Sequence, residues 1–138
     1  MTRPVVREEL VDFETYREER VTYRPKVMAI KAPRRIHVGK YLTFLFENHE
    51  TIRYQVQEMM LAERIVKEAE IRHELQTYNE LLGAEGGLGA SLLIEIESEA
   101  ERNEKLCAWL ELPGHLYAKL EDGTKIRATY DQIGRAHV

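Results

Sequence analysis

The feature that most constrains the fold is a stretch of two-residue alternation followed at once by a long helical pattern. Within residues 41–47, Leu42, Phe44 and Phe46 fall on one side of an extended chain and the intervening residues fall on the other. This period is typical of a β-strand. Residues 36–38, just before Gly39, are expected to form a short partner strand.

The helical segment that follows is expected to run from Asn48 to Leu82. Asn48 is a good N-cap because its side-chain oxygen can accept a backbone N–H of the first turn. Apolar residues recur at helical spacing on one side of this segment, at Ile52, Val56, Met59 and Met60. Gln57 falls mostly on the opposite side. A bend is expected near residues 69–71.

Shorter elements are expected on both sides of this centre. Residues 8–20 predict one helix, and Pro25 suits the first turn of a second, which Pro33 ends. Residues 92–96 predict a strand, and Ser98 begins a helix that reaches about residue 110. Asp122-Gly123 predicts a hairpin with a two-residue turn, because both residues tolerate positive φ.

Together these elements predict an α+β fold with a mixed or antiparallel sheet, covered by one long helical segment and shorter helices. Residues 1–132 are expected to form a single domain, because neither repeats nor a composition break divides them. Residues 133–138 translate a frame of a common sequencing adapter. We therefore expect a foreign tail on a truncated, metagenomic type of fragment whose natural C-terminus is missing.

Charge and cysteine content limit the function classes. Twenty Lys and Arg oppose 24 Asp and Glu, so the net charge of −4 provides no global attraction to nucleic acid or an anionic membrane. No apolar stretch approaches the ~20 residues that span a bilayer. Cys107 is the only cysteine, which agrees with a reducing compartment. These observations predict a cytoplasmic protein.

Long consecutive segments of the chain resemble the bacterial family known as domain of unknown function 3501. The segments agree in order and spacing, and they are residues 34–39, 42–48, 51–59, 63–65, 78–81 and 92–95. The resemblance implies no established activity. It implies a setting beside rubrerythrin-like proteins and iron–sulfur oxidoreductases, and therefore a redox or peroxide-defence role. Members of that family extend beyond the end of this chain.

Two groups of side chains are candidates for ligand binding. Glu70 and His73 have the E-x-x-H spacing that offers two metal ligands from one helix face, and Glu63 precedes them. A single copy does not make a site, and a solvated face is the alternative. The second group is the one concentrated basic stretch, which could bind an anion, a phosphorylated ligand or nucleic acid: Arg24, Lys26, Lys31, Arg34, Arg35 and Lys40.

A third group, Arg53, Gln57 and Glu58, lies where the family resemblance is closest, so a shared polar site is expected there if one exists. Arg53 and Gln57 are one helical turn apart and can face the same cleft. No nucleophile, base and orienting group occur together. The sequence therefore favours a non-catalytic accessory or interaction protein with a redox partner over a metal-dependent enzyme or an anion binder. It identifies no ligand, partner or oligomeric state.

Overall fold

The computed structural model describes residues 3–130, and these form an α+β fold, as predicted. The strands are β1 (Arg35–Val38), β2 (Leu42–Phe46), β3 (Ala90–Ile94), β4 (Tyr117–Lys119) and β5 (Lys125–Arg127). The helices are α1 (Phe13–Lys31), α2 (His49–Glu63), α3 (Glu68–Asn79) and α4 (Glu99–Ala108). The strands form a sheet in the order β1-β2-β3 and a separate β4-β5 hairpin.

The chain divides into two compact units, Met1–Leu93 and Ile94–Val138. The single domain expected over residues 1–132 remains a prediction, and the expected foreign tail at 133–138 lies outside the described residues. No helix within residues 3–130 has the length and apolar character needed to cross a membrane.

Helix α1 is continuous, so the prediction of two helices separated before Pro25 was wrong. Asp12 caps its start by accepting the N–H of Thr15 at 2.9 Å, and Pro25 lies inside the helix. A proline there removes the hydrogen bond to the carbonyl four residues earlier, which belongs to Val21. Val21 is exposed, so water can bond that carbonyl instead. The helix continues because its other side packs on α2.

The predicted long helical segment is two helices, and the break lies at Arg64 rather than near residues 69–71. Arg64 has φ 50° and ψ 50°, the left-handed conformation that commonly ends a helix. The N–H of Ile65 then donates to the carbonyl of Met60 at 2.9 Å, and the Ile65 side chain is buried. Glycine is the usual residue in this conformation. Because arginine occupies the position here, the sequence did not indicate that the helix ends at Arg64.

The paired strands confirm the predicted alternation. Strands β1 and β2 are antiparallel, with Ile36 opposite Phe44 and Val38 opposite Leu42. Directly opposed residues share a face of the sheet. The other face carries Thr43 and Leu45, which are 2% and 6% exposed. On β2 this face is buried even though it is the less apolar of the two, whereas its β1 residues, Arg35 and His37, are exposed.

The main core lies between α2, α3 and residues 3–12, which we call the N-terminal segment. Ile52, Val56 and Met60 on α2 are fully buried, as their spacing predicts. The side chains that join them from outside α2 are Val5, Leu10, Ile65, Ile71, Leu75, Tyr78 and Leu82. Gly89 packs against the chain after α3, where an added Cβ would lie 1.8 Å from the carbonyl oxygen of Leu81.

Unit Ile94–Val138 contains α4 and the β4-β5 hairpin. The Ser98 side chain accepts the N–H of Glu101 at the start of α4, as predicted. The hairpin is also confirmed, but its turn differs from the prediction. Gly123 takes φ 91° whereas Asp122 does not take positive φ, and the Gly123 N–H donates to the carbonyl of Leu120. The connection is therefore a type I turn followed by a left-handed glycine.

Candidate functional site

The predicted polar group on α2 divides between two tasks, and the first is to hold the N-terminal segment. Gln57 is only 1% exposed. Its side-chain oxygen accepts the N–H of Val11 at 2.8 Å, and its amide nitrogen donates to the Val11 carbonyl at 3.0 Å. Arg53 donates to the carbonyl of Glu9 at 3.0 Å. The prediction that Gln57 lies on the polar side of the helix was wrong, because this segment covers it.

A second amide side chain repeats the same arrangement at the other end of the segment. Asn79 on α3 accepts the N–H of Val5 and donates to its carbonyl, each at 2.9 Å. At the edge, Glu9 accepts from Arg3 at 2.7 Å and contacts His49 at 2.6 Å. The hydrogen bond from Arg3 is the main reason why the pKa of Glu9 falls to about 2. These polar groups serve to fix the segment in place.

The second task belongs to Glu58, which accepts hydrogen bonds from side chains of both α1 and α2. Its carboxylate accepts from Tyr16 at 2.7 Å, from Tyr54 at 2.9 Å, and from Arg20 through two nitrogens at 2.8 and 2.9 Å. We call these four residues the Glu58 cluster. Two-point pairing with arginine is geometrically specific as well as charge-assisted.

The hydrogen bonds within this cluster stabilise the charged form of the Glu58 carboxylate. Burial opposes ionisation of Glu58, but the hydrogen bonds from Arg20, Tyr16 and Tyr54 outweigh it and lower its pKa. Burial, reinforced by the bond to Glu58, raises the pKa of both tyrosines. Neither tyrosine is therefore a ready base or nucleophile. Within residues 3–130, no fully buried side-chain nitrogen or oxygen is without a hydrogen-bond partner.

The six residues of the basic stretch do not form one patch. Lys31 is buried, and its ammonium lies 4.7 Å from the centre of the Tyr54 ring. Burial lowers the pKa of Lys31. Arg34 donates to the carbonyl of Phe46 at 2.7 Å, and Arg24 hydrogen-bonds Tyr54. The remaining three are exposed: Lys26, Arg35 and Lys40. Anion binding by the complete set remains a prediction.

The proposed metal ligands all lie on the surface. Glu63 is the last residue of α2, Glu70 and His73 lie on α3, and all three are exposed. Nowhere in the described chain do three or more His, Cys, Asp or Glu side chains lie close enough together to hold a metal ion. Metal binding by these residues remains a prediction.

The sheet contributes a surface that sequence reasoning did not single out. Ile36 and Val38 are 49% and 47% exposed, and they share a face with three half-buried residues of β2. We call this apolar surface the open face: Ile36, Val38, Leu42, Phe44 and Phe46. Contiguous exposed apolar surface rimmed by polar groups is typical of interaction sites.

The sequence contained a signal for the Glu58 cluster, which the sequence analysis did not predict. Tyr16 and Arg20, like Tyr54 and Glu58, are four residues apart, so each pair shares one helix face. Which two helices would meet was not visible. Asn79 had no signal, because its partner Val5 is 74 residues away.

The fold and these surfaces define an α+β protein whose helices are tied together by polar side chains and whose sheet keeps one apolar face partly exposed. The chain belongs to the family described as protein of unknown function, DUF3501, which it matches over residues 4–136. This confirms the resemblance seen in the sequence.

A solved structure shares this fold. It is the crystal structure of a protein of unknown function from Burkholderia pseudomallei, which is 31% identical, with a TM-score of 0.88. The match covers 96% of this chain and 69% of that chain. No curated protein matches.

Proposed function

We propose that this protein is a non-catalytic accessory protein that binds another protein through its open face. The observation that carries the proposal is the contrast between this face and the polar groups. Ile36 and Val38 are about half exposed, whereas Arg53, Gln57 and Glu58 are engaged by other parts of the same chain. Apolar surface gains free energy on contact with a partner, whereas satisfied polar groups gain little.

The partner that we propose is a redox protein of the rubrerythrin-like or iron–sulfur type, in the cytoplasm of a bacterium. This part of the proposal rests on the setting that the family resemblance implies. The single cysteine, Cys107, supports a reducing compartment. We assign electron transfer itself to the partner.

The test is a binding titration between the purified protein and a purified rubrerythrin-like protein. Replacing both exposed residues of β1, by Ile36→Thr with Val38→Thr, keeps β-branched side chains and removes apolar contact area. Loss of about 0.8 kcal/mol at each site predicts about a 15-fold weaker complex.

The matched control is the pair Val21→Thr and Val66→Thr, which are 78% and 71% exposed and lie outside the sheet. This pair is expected to leave the affinity unchanged. The proposal is wrong if no complex forms, or if both pairs of substitutions weaken it equally.

A further inference from the structure

We propose that the outer edge of β1 binds an extended acidic segment of the partner as an added strand. This inference rests on the proposed function and identifies the chemistry of the partner. Strand β1 lies at one side of the sheet, with β2 as its neighbour. A strand in this position offers a row of backbone N–H and C=O groups to an incoming chain. All four of its residues are exposed.

The charge of the β1-β2 hairpin selects the kind of segment. Residues 34–46 contain Arg34, Arg35 and Lys40 and no Asp or Glu, although the whole chain has a net charge of −4. Arg34 donates to the backbone carbonyls of Phe46 and Glu47, which carry no net charge. None of these three residues takes part in an ion pair within the described part of the chain. An acidic partner would supply the missing charge.

The alternation of β1 sets the pattern of the incoming strand. Ile36 and Val38 lie on the open face, whereas Arg35 and His37 lie on the other side of β1. Neighbouring strands place directly opposed side chains on the same face. The matching segment therefore alternates apolar residues, which extend the open face, with Asp or Glu, which meet the basic side.

The same charges argue against a second copy of this chain as the occupant. Pairing β1 with β1 of another copy would bring two basic hairpins together, and like charges across adjacent strands are destabilising. Charged side chains at a sheet edge commonly prevent self-association in this way. An acidic segment turns the same feature into recognition.

The test uses the intact protein and synthetic peptides of about six residues, the usual length of a strand. One peptide alternates Val with Glu, a second alternates Val with Lys, and a third is the Val–Glu peptide with every amide N-methylated. Only the unmodified Val–Glu peptide is expected to bind and to protect β1 amides from hydrogen exchange. Equal binding of the Val–Lys peptide would overturn the charge argument, and equal binding of the methylated peptide would overturn strand addition.

Charge reversal on the protein provides the second measurement. Arg35→Glu with Lys40→Glu is expected to weaken binding of the Val–Glu peptide at least about tenfold. Lys67→Glu with Lys119→Glu makes the same charge change at exposed sites outside the sheet of β1 and is expected to have little effect. Equal losses in the two variants would overturn the proposal.

Two further measurements distinguish strand addition by an acidic segment from nucleic-acid binding and from failure of the proposed function. A short single-stranded oligonucleotide that binds more tightly than the Val–Glu peptide would identify nucleic acid as the ligand and overturn the proposal. If the redox partner requires Ile36 and Val38 but tolerates Arg35→Glu with Lys40→Glu, strand addition is wrong while the proposed function stands. If the peptide binds and the redox partner does not, the proposed partner is wrong and the acidic ligand stands.

Discussion

Replacing Gln57 by leucine should measure how strongly the N-terminal segment is held. Leucine is close to glutamine in size, so the main change is the loss of the two hydrogen bonds to Val11 at 2.8 and 3.0 Å. A buried peptide group without a partner costs about 1–3 kcal/mol. Val11 itself is half-buried, so water can partly replace one bond. We expect a loss of about 2–3 kcal/mol in the free energy of unfolding.

This loss corresponds to a decrease of about 7–10 °C in Tm for a chain of this size. Urea and thermal unfolding, followed by far-UV circular dichroism, measure both quantities. The matched control is Gln76→Leu, at an exposed position on α3, which should change stability by less than about 0.5 kcal/mol. If Gln57→Leu is as stable as the control, the Gln57 side chain does not hold the N-terminal segment.

Gln57→Glu adds a test with a defined sign. A carboxylate can accept the Val11 N–H but cannot donate to the Val11 carbonyl, and burial opposes its charge. Folding should therefore raise the pKa of the new side chain. The penalty is present at neutral pH and disappears as the pH falls through the raised pKa, because the protonated acid both accepts and donates. A penalty that grows on acidification would contradict this account.

Three further predictions concern other contacts of the same unit. Asn79→Leu should lower the free energy of unfolding by about 2–3 kcal/mol because it removes both hydrogen bonds to Val5. The double variant with Gln57→Leu should lose at least about 0.5 kcal/mol less than the sum of the two single losses, since both side chains hold the same segment. Additive losses in urea unfolding would contradict this. The pKa of Glu9, lowered from 4.5 to about 2, should make its stabilisation complete above about pH 4.5 and progressively lost towards pH 2. Glu9→Gln should make the loss of stability on acidification smaller by about 1 kcal/mol. The value is small because solvent screens the pair with the exposed Arg3. An NMR titration that gave the Glu9 carboxyl an ordinary pKa would refute this prediction. Arg64→Gly should stabilise the protein by about 0.5–1 kcal/mol by relieving the left-handed conformation at φ 50°, and a lower urea midpoint would contradict that reading.

Local chemistry made several elements readable in advance. Alternation identified β1 and β2, and helical spacing identified the buried residues of α2, because these patterns arise within a few neighbouring residues. Asn48 and Ser98 marked helix starts for the same reason, since a cap bonds a backbone group three residues away. Glycine and proline were less reliable. Pro25 did not divide α1, and α2 ended at an arginine.

The sequence by itself determined the α+β class, the two hairpins, the helix caps at Asn48 and Ser98, and the family. Only the tertiary structure decided which polar residues are engaged, because their partners are remote in sequence. Gln57 meets Val11 and Asn79 meets Val5 across 46 and 74 positions, and no local period records such a contact. Tertiary structure also decided which face of β2 is buried: Leu42, Phe44 and Phe46 remain partly exposed while Thr43 is covered. Alternation separates the two faces of a strand, but the neighbouring elements determine which face they cover.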